Sequence, residues 1–249
     1  MELTGTVVQV WILNKGEDMK KYILIILIII LALYSQTAFA DSPLTVYSST
    51  SDGIVSVEGE DWDTVHDATE GTDTEYAAIY IAIGAYNFPG GYAACFRSFV
   101  FFDTSSIPSG AIIDSATLSL YGKNADIGDD YDIVVQNGQP TYPHDSLVGG
   151  DYLYTHYSGD GGSFNTSTFT TTGYNVITLN ATGRGWINKS GKTKLALLSS
   201  PDIDDNCPEN SARSVWCWSA DETEGGELRP KLIVNYHVAA DNAIFWSNF

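Results

Sequence analysis

The stretch RSFVFFDTSSIPSGAIIDSATLSLYG, Arg97 to Gly122, decides the fold. Four successive apolar residues, Phe99 to Phe102, break simple in-and-out alternation, so this strand needs cover on both faces. Ser105-Ser106-Ile107-Pro108 then stops it, since proline cannot donate to a ladder. Beyond the turn, Ala116, Leu118 and Leu120 alternate with Ser115, Thr117 and Ser119, the pattern of a half-buried antiparallel strand. A central strand with one face in the core and the other under a loop or the chain's own tail meets the first requirement. The apolar C-terminal residues Ile244, Phe245, Trp246 and Phe249 are one candidate cover.

Working outward, short runs rich in Thr, Ser, Tyr and Val, separated by turn residues, predict about ten strands. They lie near residues 45–48, 53–57, 78–83, 95–102, 112–121, 131–136, 174–179, 194–199, 214–220 and 231–237. Many short strands at this spacing indicate an all-β antiparallel sandwich or barrel. Only one or two short helices are expected, one in DWDTVHDATEG capped by Asp61 and one in NATGRGWINKS capped by Asn180. With no repeat and no Pro-rich linker, residues 41–249 read as one domain.

The front of the chain reads as an address. Residues 19–40 have a charged start (Lys20, Lys21), a 12-residue apolar run from Tyr22 to Leu33 and a small-x-small site at Ala38-Phe39-Ala40, the pattern of a cleaved secretory signal. Twelve residues fall short of the roughly 20 that span a bilayer, so no membrane insertion is expected after cleavage. Residues 1–18 fit no targeting pattern and are read as an upstream mis-start, with Met19 as the true start. Residues 41–249 retain 9 of the 12 Lys and Arg and 28 of the 31 Asp and Glu, so their net charge is still −19. Such a surface repels nucleic-acid phosphates and anionic lipid headgroups, and neither is expected as a partner.

The quoted stretch resembles the signature of the secreted β-sandwich modules called DNRLRE domains, close to carbohydrate-binding module family 96. There an Arg-Ser strand ends in Phe-Asp and is followed by Ser-Ile-Pro and a Ser-Ala-Thr-Leu strand. YNVITLNATGRGWINKSGKTKLALLSSPDID resembles the family's strand, short helix with Trp, Gly turn and second strand, and WSADETEGGELRPKLIVNY resembles its closing hairpin. The resemblance spans about Thr45 to Tyr236 and implies a jelly-roll-like sandwich of secreted or cell-surface proteins, with glycan binding in some members. It carries no invariant binding residue, and no enzyme domain accompanies it here.

The chain has no GxSxG, HExxH or phosphate-binding loop, and its four histidines are scattered, so no catalytic role is expected. Trp216 and Trp218 stand two apart on one strand and share a face, either core or an aromatic platform for sugar rings, with Asp221, Glu222 or Asn210 as polar partners. Tyr152, Tyr154 and Tyr157 form a second cluster, in a loop, as contact residues or as a lid. Two acidic clusters are calcium candidates: Asp202, Asp204 and Asn206, and Asp126, Asp129, Asp130 and Asp132. Neither is an EF-hand, since Cys207 and Arg213 occupy the glycine and bidentate-Glu positions of the first, and solvated turns are the competing reading. An oxidising compartment permits disulfides. Cys207 with Cys217 is the favoured pair, leaving Cys95 a buried thiol, while pairing of Cys95 with either remains open.

The expectation is a secreted or cell-surface, non-catalytic sandwich that binds polysaccharide or a cell-surface glycan. The alternative is a self-assembling structural subunit of a surface layer, filament or appendage. Cleavage after Ala40 is directly testable: the intact mass of exported protein should correspond to a chain starting at Asp41, and a retained apolar segment would refute it.

Overall fold

In the computed structural model, which describes Lys20, residues 42–223 and residues 227–238, all ten expected strands form and two short ones join them. In chain order they are β1 (Ser42–Tyr47), β2 (Gly53–Gly59), β3 (Asp73–Glu75), β4 (Tyr80–Phe88), β5 (Tyr92–Asp103), β6 (Ala111–Ile127), β7 (Asp132–Gln136), β8 (Ser163–Asn165), β9 (Tyr174–Thr178), β10 (Lys192–Ser199), β11 (Ser211–Trp218) and β12 (Lys231–Val238). Every pairing is antiparallel, and the strands join in one sheet that curls on itself, as the all-β reading requires. Residues Asp41–Ala239 make one compact unit. The expected signal, Lys20 apart, and the apolar tail lie outside the described residues.

Both expected helices form where their caps predict. Asp61 accepts a hydrogen bond from the Thr64 N–H at the start of α1 (Trp62–His66), and Asn180 accepts one from the Gly183 N–H at the start of α2 (Ala181–Gly185). A third, α3 (Ser200–Ile203), follows β10 directly with Pro201 in its first turn.

β5 is the centre of the sheet. β2 takes one edge along Ala93–Phe99, and the other is shared, β4 pairing with Tyr92–Phe96 and β10 with Ser98–Asp103. Its apolar run is resolved by two cores. Val100 and Phe102 enter the first, with Ile54, Ile81, Ile83, Leu195, Leu197, Val215 and Cys217 opposite Leu118, Leu120, Ile177, Leu232 and Val234. Cys95, Phe99 and Phe101 enter the second, with Val55, Val57, Ala196 and Leu198 from the neighbouring strands. The cover over this second core comes from α1 (Trp62, Val65), the loop residues Leu147, Tyr152 and Tyr157, and Cys207. Loops therefore supply the cover that the sequence demanded.

β6 ties the halves together. Its first part pairs with β12 and β9, and its last part, Gly122 to Ile127, pairs with β11. At the join the register skips Lys123: Trp216 lies opposite Asn124 and Cys217 opposite Gly122. The bulge is thus in β6, while β11 keeps regular pairing with β4 through Trp218. In β4, Gly84 has φ +145°, and a Cβ there would strike the Arg213 carbonyl. Across it the strand changes sides, with Ile81 and Ile83 in the first core and Ala85 in the second.

Arg97, fully buried on β5, clamps the cover to the sheet. Nε donates to Asp202 Oδ2 at 2.9 Å and Nη2 to Asp202 Oδ1 at 2.6 Å; Nη2 also donates to the His66 carbonyl at 3.2 Å and Nη1 to the Tyr152 carbonyl. The guanidinium lies 3.9 Å from the centre of the Tyr152 ring. Burial is the largest single effect and works against its charge, but the Asp202 carboxylate, by charge and hydrogen bond, together with smaller contributions from Cys95 and Tyr152, holds the group above its ordinary pKa. Arg97→Ala or Asp202→Ala alone should each cost about 3–5 kcal/mol in denaturant unfolding, because each strands a buried charge. The double variant should cost clearly less than the sum; additive losses would show that the two groups act independently.

Candidate functional site

The outer face of β11 carries the candidate platform. Val215 and Cys217 are fully buried in the first core, so alternation turns Trp216 and Trp218 to the other side, where both are half-buried. Because the bulge is in β6, it does not separate the two indoles. Trp216 packs partly on the core beside Ala82, its cross-strand partner, whereas Trp218 pairs with Tyr80. The residue displaced by the bulge completes the patch: the Lys123 ammonium lies 5.0 Å from the centre of the Trp218 ring and 5.6 Å from that of Tyr80.

Carboxylates edge this surface. Asp73 and Glu75, two apart on β3, lie close enough to Tyr80 to raise its phenol pKa, after the larger effect of desolvation. Desolvation first, and then Asp73, raise the Glu75 carboxyl. A groove of about 350 Å³ lined by Thr74, Glu75, Tyr76, Ala77 and Ala78 runs beside them, with the Tyr76 ring exposed. The Ser219 N–H and hydroxyl bond the Ile79 and Ala78 carbonyls and hold the end of β11 against this groove. Asp221 follows, its N–H donating to Ser219 Oγ at 3.2 Å. Desolvation raises its carboxyl above the usual range, and its Oδ2 is shielded without a hydrogen-bond partner. Glu222 is nearly buried and Asn210 is exposed at φ +59°.

The tyrosine cluster divides. Tyr152 and Tyr157 are buried in the second core, their hydroxyls donating to the Val65 and Asp151 carbonyls at 2.8 and 2.9 Å. They are lid, not contact surface, which corrects that half of the expectation: a ring that fills a core has no face left for a ligand. Tyr154 is half-buried and packs on His66, ring centres 4.6 Å apart.

The acidic clusters are dispersed. Asp202 points inward to Arg97, while Asp204 and Asn206 are exposed. In the other cluster Asp129 accepts from Arg213 Nη2 at 2.8 Å, Asp132 accepts from Asn165 Nδ2 at 2.9 Å, and Asp126 and Asp130 face solvent. Among the described residues no three His, Cys, Asp or Glu side chains are placed to hold a metal ion. The disulfide is also corrected. All three cysteines are free and buried, Cys217 in the first core and Cys207 in the second, on opposite sides of the sheet.

A buried carboxyl adjoins the platform's end. Asp52, fully buried in the turn before β2, accepts from the Ala220 N–H with both oxygens, at 3.2 and 3.0 Å. Desolvation pushes its pKa up to about 7, against the Ala220 N–H and the Ser48 hydroxyl; Asp221 adds to the rise and Arg229 opposes it.

No family model matches the chain and no curated protein is similar to it in sequence, so the reading of the surface rests on its geometry. Among the described residues no helix is long and apolar enough to cross a membrane.

The Asp52 geometry gives a pH prediction. Its folded pKa lies above its unfolded value, so its contribution to stability is full below about pH 4 and is lost as pH rises through about 7. The displacement from 3.8 to about 7 corresponds to roughly 4 kcal/mol. Asp52→Asn mimics the neutral acid, so between these limits the wild type should lose several kcal/mol more than the variant in parallel denaturant titrations. Parallel curves would show that Asp52 does not titrate.

Proposed function

We propose that this protein is a non-catalytic polysaccharide-binding module of the cell exterior, using the surface formed by Trp218, Tyr80 and Trp216. The observation that carries the reading is the outward placement of Trp216 and Trp218 on a strand whose alternate residues fill the core. Flat aromatic rings on a rigid sheet stack on the C–H faces of sugars at little conformational cost, and nearby carboxylates accept from ring hydroxyls. Glu75, beside the groove, is the acceptor this surface offers. Its shallow, open form suits a polymer that lies across it.

Trp218→Ala separates a platform from a core residue. The melting temperature should move by no more than a few degrees, since the ring fills no core position, whereas affinity for a bound polysaccharide should fall about tenfold or more. Trp216→Ala should cost more stability because its indole rests partly on the core. The check is a glycan array with wild type, followed by titration of the bound glycan into both variants. A Trp218→Ala protein that binds as tightly as wild type would dismiss the site.

A further inference from the structure

The charges around the platform single out a class of sugar. From the composition and this geometry, and resting on the polysaccharide-binding reading, we infer that the surface recognises a glycan whose sugars carry ammonium groups, an amino-sugar polymer.

Three independent observations converge. First, the Lys123 ammonium already sits over the Trp218 and Tyr80 rings, so the aromatic pair accommodates an ammonium group in this geometry. The negative face of an aromatic ring attracts such a cation, and nearby carboxylates add to that attraction. Second, Asp73 and Glu75 crowd one another beside Tyr80, and the rise of the Glu75 carboxyl has that crowding as its second cause after desolvation. A cation placed between them and the rings relieves this repulsion; an anionic sugar increases it. Third, residues 41–249 carry a net charge of −19, which attracts a polycation along its length and repels a polyanion.

Lys123 has a defined part in this arrangement. Its side chain is exposed on the bulge of β6 and occupies the cation position from within the chain. An arriving ammonium competes with it and can displace it into solvent. Removing Lys123 should therefore strengthen binding of an amino sugar, and it should weaken binding of a sugar whose carboxylate or sulfate pairs with the lysine.

The experiment uses the secreted chain, sedimented with three insoluble polymers in mildly acidic buffer: chitosan cross-linked into beads for the free amine, chitin for its N-acetylated form and cellulose for a neutral glucan. Wild type should bind chitosan at least tenfold more tightly than the other two. Lys123→Ala should raise chitosan affinity severalfold. Trp218→Ala, with net charge unchanged and its fold checked by thermal melting, should lower it about tenfold or more. Tight chitosan binding that Trp218→Ala leaves intact, and that disappears in about 0.5 M salt, would be general attraction of an acidic protein to a polycation and would overturn the inference. Weakened binding in Lys123→Ala would overturn it as well, by assigning the lysine to an anion. Equal binding to cellulose or chitin, lost in Trp218→Ala, would overturn the amino-sugar class while leaving the polysaccharide platform standing. Binding to none of the three polymers would remove the amino-sugar inference; if a glycan array is also blank, the polysaccharide reading falls with it.

Discussion

A single buried guanidinium orders the side of the sheet that faces the loops. Arg97 projects from the middle of β5 into a layer otherwise built of Phe99, Phe101, Val55 and Leu198, and apolar packing alone does not fix where a loop sits on such a surface. The planar fork of donors does. It reaches a carboxylate from α3, a carbonyl from the end of α1 and a carbonyl from the turn at Tyr152, so three separate cover elements take their positions from one side chain. Lysine has a single ammonium and could not make the two-pronged contact with Asp202 while reaching both carbonyls. Desolvating both ions costs several kcal/mol each, so the pair is better understood as fixing geometry than as adding net stability.

The elements so positioned also bind one another. His66, at the end of α1, lies between the Trp62 and Tyr154 rings, with its Nε2 3.0 Å from the Asp202 carbonyl. The Trp62 indole donates to Asp205 at 3.0 Å. Helices of four and five residues are too short to persist alone, and here tertiary contacts at their ends replace helical length. The sheet beneath then tolerates an apolar residue at nearly every position of β5, because neither of its faces meets water.

The strands were legible because alternation and turn residues mark them locally, and both capped helices were legible for the same reason. The quoted stretch announced a strand covered on both faces, but the burial of Arg97 within it went unread, and nothing near Asp202 shows that it supplies the balancing charge from 105 residues away. Read locally, Asp202, Asp204 and Asn206 look like a ligand series; burial of the first and exposure of the others separates them. The cysteine pairing failed on period two. Once Trp216 and Trp218 face outward, Cys217 between them must face inward and cannot meet Cys207 on the far side of the sheet. Of the platform, the two indoles were visible in the sequence and Tyr80 was not singled out, though it alternates with Ile81 and Ile83 as an outward aromatic should. Lys123 had no local signal, because its position depends on a skipped register that only the pairing of β6 with β11 reveals.

Two aromatic clusters of similar composition thus have opposite fates, and backbone geometry explains why. Tyr152 closes one 3₁₀ turn (Gly149–Tyr152) and Tyr157 directly follows another (Tyr154–His156), and both rings lie against β5, where a guanidinium and an apolar layer await them. Trp216 and Trp218 stand on a regular strand whose inward positions are already filled by Val215 and Cys217, so the indoles have nowhere to go but out. A bulge in the adjoining strand then lays a lysine over the outer rings rather than a second layer of protein. Covering aromatic surface with one flexible ammonium leaves it exchangeable: a lysine stem can swing into water at a cost of about 0.5–1 kcal/mol of cation–π energy, whereas a packed loop would have to unfold locally. The surface is therefore shielded in the free protein and open to any ligand that competes for the same rings.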